Sequence, residues 1–388
     1  MMDEPQGGAR LIALLARDLR ELGEDVTLYC YGFDRERCFP GLLDGVPVRS
    51  VRDLSGRHSP PGGAESGLRR ARLQLRRYFV ESRALAALIA PDADILNPHE
   101  WLGHRSASLA GVPHHIPIVW TYNDPSHWHV HNGRGISEFP YRLLGGFDTR
   151  QINRFAAVTT LSVWMRDVAR RAFTVPVHLV RCGIDGRVAR LPATYAELGK
   201  PLVLLSVGVL APHRRFEDLI EGIAAARARG CACRCTIVGT DRFAPAYGRQ
   251  LRDLVGRLDL AAEVTLRFES LPEVELDRLY AEAQAVIFPT EQQAWGLAQL
   301  EAMAWGIPAI VSRGTGVSEV LHDGEHALVV DPRRPDQIAN AILTLAASAD
   351  VRQRLGQAGR RLVLESYTSQ GYAKRMLELF ASVSPVHR

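Results

Sequence analysis

Pro289-Thr-Glu-Gln-Gln-Ala-Trp-Gly-Leu-Ala-Gln-Leu-Glu-Ala-Met-Ala-Trp-Gly306 is the stretch that decides the fold. The apolar residues 285–288 just before it read as a buried strand that ends at Pro289. A polar loop follows, and a helix is expected over 295–305, starting near Trp295. Gly306 stops that helix and Pro308 lies just beyond, which is ordinary helix-stop chemistry. The free N–H groups at such a helix start favour an anion, such as a phosphate. Glu301 lies about two turns in, among Leu300, Ala302, Met303 and Ala304. A carboxylate in so apolar a stretch needs partners, because an unpaired buried charge is costly. Sugar hydroxyls would supply them; backbone amides are the structural alternative.

Working outward, the same strand–loop–helix unit repeats. Strands are expected at 202–207, 234–238, 263–268, 285–288 and 309–312. Helices are expected at 216–229, 247–259, 272–283, 295–305 and 316–322, with three more in 335–381. The N-terminal half reads similarly. Helices are expected at 9–23, 66–90 and 163–173, and strands at 26–31, 46–51, 93–97, 117–122, 156–161 and 177–182. Apolar strands alternating with helices imply parallel sheets covered on both faces. Pro192 and Gly199 break the pattern. The division is a domain over 1–187, a second over 199–365, and a terminal helix over 366–388 that returns to the first. The class is α/β, with two doubly wound, Rossmann-like domains facing across a cleft. Ligands in such sheets sit at the carboxyl ends of the strands.

Composition excludes the other classes. The chain has 388 residues, 46% hydrophobic and 23% charged, which is ordinary for a globular protein. The net charge is +4, and acidic residues nearly match basic ones, so nucleic acid is not an expected partner. Lys200 and Lys374 are the only lysines; every other basic residue is arginine. No apolar run reaches the roughly 18–20 residues of a membrane span. No signal peptide is evident, so the place expected is cytoplasmic. Six cysteines in a chain this long do not make a disulfide framework. Cys231, Cys233 and Cys235 would share one face of a strand, as small core residues.

The segment from Gln293 to Pro308 resembles the signature of the GT-B glycosyltransferases of family four, the glycosyl transferases group one: E-x-F-G-L-x-x-L-E-A-M-A-x-G-x-P. The likeness continues through Ile310–Glu319 and Asp323-Gly324. In that family the second Glu binds the donor ribose, a role that falls on Glu301. The first Glu holds the sugar hydroxyls, and here it is Gln293, which hydrogen-bonds but carries no charge. Trp295, Gly296 and Leu297 lie in the donor loop between them. Gly208-Val-Leu-Ala-Pro-His-Arg-Arg215 resembles G-R-L-x-x-x-K, which clamps the donor diphosphate. Arg214 takes the Lys position and keeps its charge. Val209 takes the Arg position, with His213 or Arg215 as the expected compensation. Gly239 resembles the turn that lets the nucleotide base approach the backbone.

In the N-terminal half, Gly7-Gly8-Ala9 resembles the family's G-G-A-E loop beside donor phosphate and acceptor, with Arg10 in place of the Glu. His99, in Asn97-Pro-His-Glu-Trp101, matches a cleft histidine. Asn123 stands where the family's T-x-H-D motif has its active-site histidine. Arg181-Cys-Gly-Ile-Asp185 resembles the P-N-G-V-D turn before the interdomain linker. Relatives begin with an apolar strand before the G-G loop, whereas residues 1–6 form none. The expectation is a start further upstream, or a first sheet short of one strand.

The resemblance implies transfer of a hexosyl group from a nucleoside-diphosphate sugar to a glycan, lipid-linked or small-molecule acceptor, with retention of configuration. Gln293, Asn123, His99 and Arg214 are the catalytic candidates, and no metal or other cofactor is implied. Val209, Asn123 and Gln293 each lose a charged or titrating group, so a nucleotide-sugar-binding scaffold is the alternative. His127, His129 and His131 alternate as zinc ligands can, or form an acceptor-side loop. Arginines over 66–83, interleaved with Leu, Tyr and Phe, suit an anionic membrane surface. That would put the protein peripherally at the inner face of the plasma membrane; a solvated helix face is the alternative.

Overall fold

The computed structural model describes residues 7–36, 38, 39, 41–54, 72, 73, 75–123, 139–186, 201–242 and 244–384. Residues 66–71 and 74 of the basic stretch 66–83, and the three alternating histidines, fall outside them. The chain divides into two compact units. The first holds residues 1–182 and 369–388, and the second holds 183–368.

The second unit is a six-stranded parallel sheet. Its strands are β6 (Leu202–Val207), β7 (Cys233–Val238), β8 (Val264–Arg267), β9 (Ala285–Phe288), β10 (Ala309–Ser312) and β11 (Leu328–Val330). They lie in the order β11-β10-β9-β6-β7-β8. All four residues of β9 and of β10 are buried, as central parallel strands require. On β7, Cys233 and Cys235 turn into the core, between an exposed Arg234 and a half-buried Thr236. The chain runs from β6 outward to β7 and β8, then crosses back to β9. The strand order therefore reverses between β6 and β9, and their loops leave the sheet in opposite directions. That reversal is where open α/β sheets bind ligands.

Two expectations here are corrected. The helix placed at 316–322 is a short 3-10 turn, Gly316–Val320. The strand β11 was not expected, because three residues carry too little periodicity to register. The helix after β9 runs Leu297–Ala304 rather than from Trp295. Gly306, at φ 79, follows it as the left-handed stop.

The first unit holds two separate parallel sheets among the described residues. One pairs β1 (Leu28–Phe33) with β2 (Val48–Asp53). The other orders β3 (Val119–Tyr122), β4 (Ala157–Thr160) and β5 (Val177–Leu179). The strand expected at 93–97 is reduced to bridges from Leu96 to Ile118 and from His99 to Thr121. The helix α1 spans Gly7–Glu21, so Gly7 and Gly8 form its exposed first turn rather than a loop before it. The terminal helix Ser369–Val383 packs against α1 in this unit. Arg17 Nη2 donates to Ser369 Oγ at 3.4 Å, and Arg375 Nη2 donates to the Arg181 carbonyl at 2.8 Å.

Gly239, just past β7, admits no side chain. A Cβ there would stand 1.7 Å from the Gly208 carbonyl oxygen. Both atoms are main chain at adjacent strand ends, so neither side can yield cheaply. Gly239→Ala should destabilise the chain by more than ~2 kcal/mol; an unchanged thermal midpoint would contradict this close approach.

Candidate functional site

In the second unit, the loop after β6 turns through a 3-10 helix, Pro212–Arg214. The loop after β9 runs from Pro289 to Gly296, the cap of the helix Leu297–Ala304. One hydrogen bond joins them, from the Glu291 N–H to the His213 carbonyl at 2.9 Å. A third loop closes on the second: a Cβ on Gly314 would lie 2.1 Å from the Glu291 carbonyl. Gln293 bonds this third loop on both sides, donating to Gly314 O and accepting from Gly316 N, each at 2.9 Å. Gly208, half-buried Arg214, Gly239, Gln293, Gly296 and Leu297 thus belong to one set of loops at the reversal point. Glu301 is half-buried on the helix that rises from them.

Arg215 does not belong to the binding set. Its Nε and Nη2 donate to the two oxygens of Asp218 at 3.0 and 2.7 Å, and Nη1 meets Glu217 at 2.7 Å. Asp218 is 2% exposed, so Arg215 is the counterion of a buried carboxylate. The pairing holds Arg215 at φ 56. Tyr247 extends the network: its hydroxyl accepts the Phe216 N–H at 2.8 Å and donates to Glu217. His213 does not replace the missing positive charge at Val209 either. Although its side chain is exposed, partial desolvation and the adjacent Arg214 charge lower its pKa, so it is neutral near pH 7. Arg214, half-buried in the same turn, stands at the Lys position of the motif. Trp295 is 3% exposed with its ring 5.7 Å from Tyr367, so it offers a ligand only its main chain.

Two side-chain contacts near the loop, one an ion pair and one between amides, were invisible in the sequence. Arg333 makes a bidentate pair with Glu291, at 2.7 and 2.9 Å, which holds the Glu291 carboxyl below its usual pKa. Gln299, fully buried, donates from Nε2 to Gln293 Oε1 at 3.1 Å. Its place one turn inside the helix was the only clue.

In the first unit, His99 and Asn123 meet. Asn97 Nδ2 donates to Val119 O at 2.6 Å and to Thr121 Oγ1 at 2.9 Å, so Asn97 Oδ1 must accept. It takes the Nε2 proton of His99 at 2.9 Å. His99 Nδ1 then accepts from Asn123 Nδ2 at 3.3 Å. Burial keeps the His99 pKa down at about 4. With both nitrogens hydrogen-bonded and its pKa lowered, His99 orients Asn123. Asn123 Oδ1 is buried and makes no hydrogen bond among the described residues.

Among the described residues, His322, Glu325 and His326 bring three metal-type ligand atoms within 4.8 Å. Those atoms already bond one another, and His326 Nδ1 accepts the His322 N–H at 3.1 Å.

Comparison with known proteins fits this geometry. The profile described as Glycosyltransferase Family 4 matches residues 5–187, and that of Glycosyl transferases group 1 matches residues 190–362. The chain belongs to the group 1 glycosyltransferases of family four. This glycosyltransferase is 24% identical over 381 residues to a D-inositol 3-phosphate glycosyltransferase of Kribbella flavida, covering 92% of this chain and 87% of that one. It is 26% identical over 317 residues to an alpha-maltose-1-phosphate synthase of Mycolicibacterium smegmatis, covering 76% and 80%. The crystal structure of Anabaena HepE in complex with UDP and glucose superposes with a TM-score of 0.74 at 17% identity, over 98% of this chain and 97% of that one. The fold is the two-domain GT-B fold, and nucleotide sugars are the donor class of the family.

The Arg215 assignment is open to a direct check. Arg215→Ala should destabilise the protein by roughly 3–5 kcal/mol in denaturant unfolding, because Asp218 is left buried without its counterion. Stability equal to wild type would return Arg215 to the binding set.

Proposed function

We propose that this glycosyltransferase moves a hexosyl group from a nucleoside-diphosphate sugar to a glycan, lipid-linked or small-molecule acceptor, with retention at the anomeric carbon. The observation that carries the reading is the joining of the Pro212–Arg214 turn to the Pro289–Gly296 loop at the strand reversal, with Glu301 on the helix that follows.

Each group then has a task. Arg214 and the open N–H groups at the start of the helix Leu297–Ala304 face the diphosphate. They stabilise the charge that grows on it as the glycosidic bond breaks. Gly208 and Gly239 let the nucleotide lie against bare main chain. Glu301 accepts from the ribose hydroxyls, and Gln293 contacts the transferred sugar. Asn123, oriented by His99, accepts a hydrogen bond from a substrate hydroxyl through Oδ1. No group is placed as a covalent nucleophile, and the reaction needs no resident metal.

The test is a mass-spectrometric screen of nucleotide sugars, read as release of the nucleoside diphosphate with EDTA present. At least one donor should turn over. Arg214→Ala should lower kcat/KM for it by about 10²-fold, the usual effect of removing one transition-state donor. Glu301→Gln should raise the donor KM. Tight binding of nucleotide sugars with no turnover of any would make this a binding protein. A requirement for added divalent cation would overturn the metal-free step.

A membrane contact is the second part of the reading. Phe79, Val80 and Phe147 are exposed in the first unit, and Arg105 lies 5.4 and 5.5 Å from the Phe79 and Phe147 rings. Arg76 and Arg83 are exposed along the same helical stretch as Phe79 and Val80. Apolar residues flanked by arginines suit an anionic bilayer. No helix among the described residues is long and apolar enough to cross a membrane. The protein should sediment with phosphatidylglycerol vesicles and much less with phosphatidylcholine vesicles. Phe79→Glu together with Val80→Glu should abolish that difference; equal binding to both vesicles would refute the contact.

A further inference from the structure

Gln293 occupies the position at which related enzymes carry a carboxylate, and its surroundings fix which end of the amide faces outward. The main chain of Gln293 is held on both sides by Gly314 and Gly316. Its side-chain carbonyl oxygen accepts the Gln299 Nε2 proton at 3.1 Å. Gln299 is fully buried, so it cannot swing away to solvent.

The orientation of Gln299 follows from its other end. Its Oε1 is buried without a hydrogen bond. That oxygen lies against Gly296, where a Cβ would stand 2.7 Å from it, and Val317 Cγ1 closes the same niche at 3.1 Å. Apart from the Gln299 amide itself, the nearest atom at that spot is the Val317 methyl carbon. The reversed amide would put two N–H protons into that niche, leaving two unmet donors in place of one unmet acceptor. Gln299 therefore presents its N–H to Gln293, and Gln293 presents its own Nε2 protons to the half-exposed side of the loop.

We propose that Gln299 is a positioning residue that inverts the polarity of the sugar contact, so that Gln293 donates where a carboxylate would accept, and the site selects a donor whose glycosyl group carries an anionic acceptor, a carboxylate as in a hexuronosyl unit. This rests on the reading that places Gln293 at the transferred sugar. A glutamate here would repel a sugar carboxylate across a hydrogen-bond distance. The pinned amide instead makes a charge-assisted N–H···O bond with it, stronger than the bond it makes to a hydroxyl. A neutral hexose can still bind, but its hydroxyl only accepts at this point and its own proton is left without a partner.

The experiment is calorimetric titration of the full chain with UDP-glucuronate, UDP-glucose and UDP as reference. GDP-mannuronate, GDP-mannose and GDP serve if UDP does not bind. Wild type should bind the uronosyl donor about tenfold more tightly than the neutral one. Gln293→Glu should reverse that preference. Gln299→Met keeps the volume but removes the N–H, so Gln293 is free to turn either way and the ratio should fall toward one. If Gln299→Met lowers the thermal midpoint too far for titration, Gln299→Glu provides the same readout: its carboxylate repels Gln293 Oε1, turns the amide over and favours the neutral donor. Preference for the neutral donor in wild type, or a ratio that Gln299 variants leave untouched, overturns the proposal while the nucleotide-sugar reading stands. Failure of both nucleoside diphosphates to bind overturns that reading, and this one with it.

Discussion

The reversal of strand order between β6 and β9 is the constraint on which the site depends. Strands on either side of that line carry their loops in opposite directions, which leaves a crevice at their carboxyl ends. Here the two loops are kept side by side by a main-chain bond from Glu291 to His213. Gly239 and Gly314 let neighbouring main chains approach closer than any side chain would allow. Donor-loop geometry is thus set by backbone, before any functional side chain is considered.

Charge around the loops is largely paired among the described residues. Arg215 is committed to Asp218 and Glu217, and Arg333 to Glu291. His99 is kept neutral by burial, and the His213 pKa is lowered by partial desolvation and the adjacent Arg214 charge. The chain is arginine-rich throughout, yet around the switch point its arginines largely neutralise acidic neighbours. Arg214 and the helix start carry the anion-binding task between them. The amides Gln293 and Asn123, which stand where related enzymes have titrating groups, are each oriented by a buried neighbour, Gln299 or His99. Both positions therefore keep a fixed polarity that does not change with pH.

Much of this was legible in the sequence. The glycine and proline punctuation at Gly208, Gly239, Pro289 and Gly306 marks strand and helix ends by local backbone chemistry, and β6, β9 and β10 fall on their expected residues. What escaped was set by the local backbone path that brings side chains together, or was too short to show a period. Arg214 and Arg215 are adjacent and chemically alike; only the three-dimensional position of Asp218 separates their roles. The three-residue β11 has no pattern of its own and exists because β10 offers it an edge. The Gln299–Gln293 bond depends on the bend at Gly296 and cannot be read from spacing alone. In the first unit, the described strands fall into two sheets, β1-β2 and β3-β4-β5, which the even alternation of strand and helix did not suggest.

Hydrogen–deuterium exchange with and without a bound nucleoside-diphosphate sugar tests the central claim most directly. Donor held at the strand reversal should slow exchange in residues 208–215, 239–241 and 289–301, where amides gain partners or lose water. Protection confined to the far strands β8 and β11, with those three loops unchanged, would contradict the account.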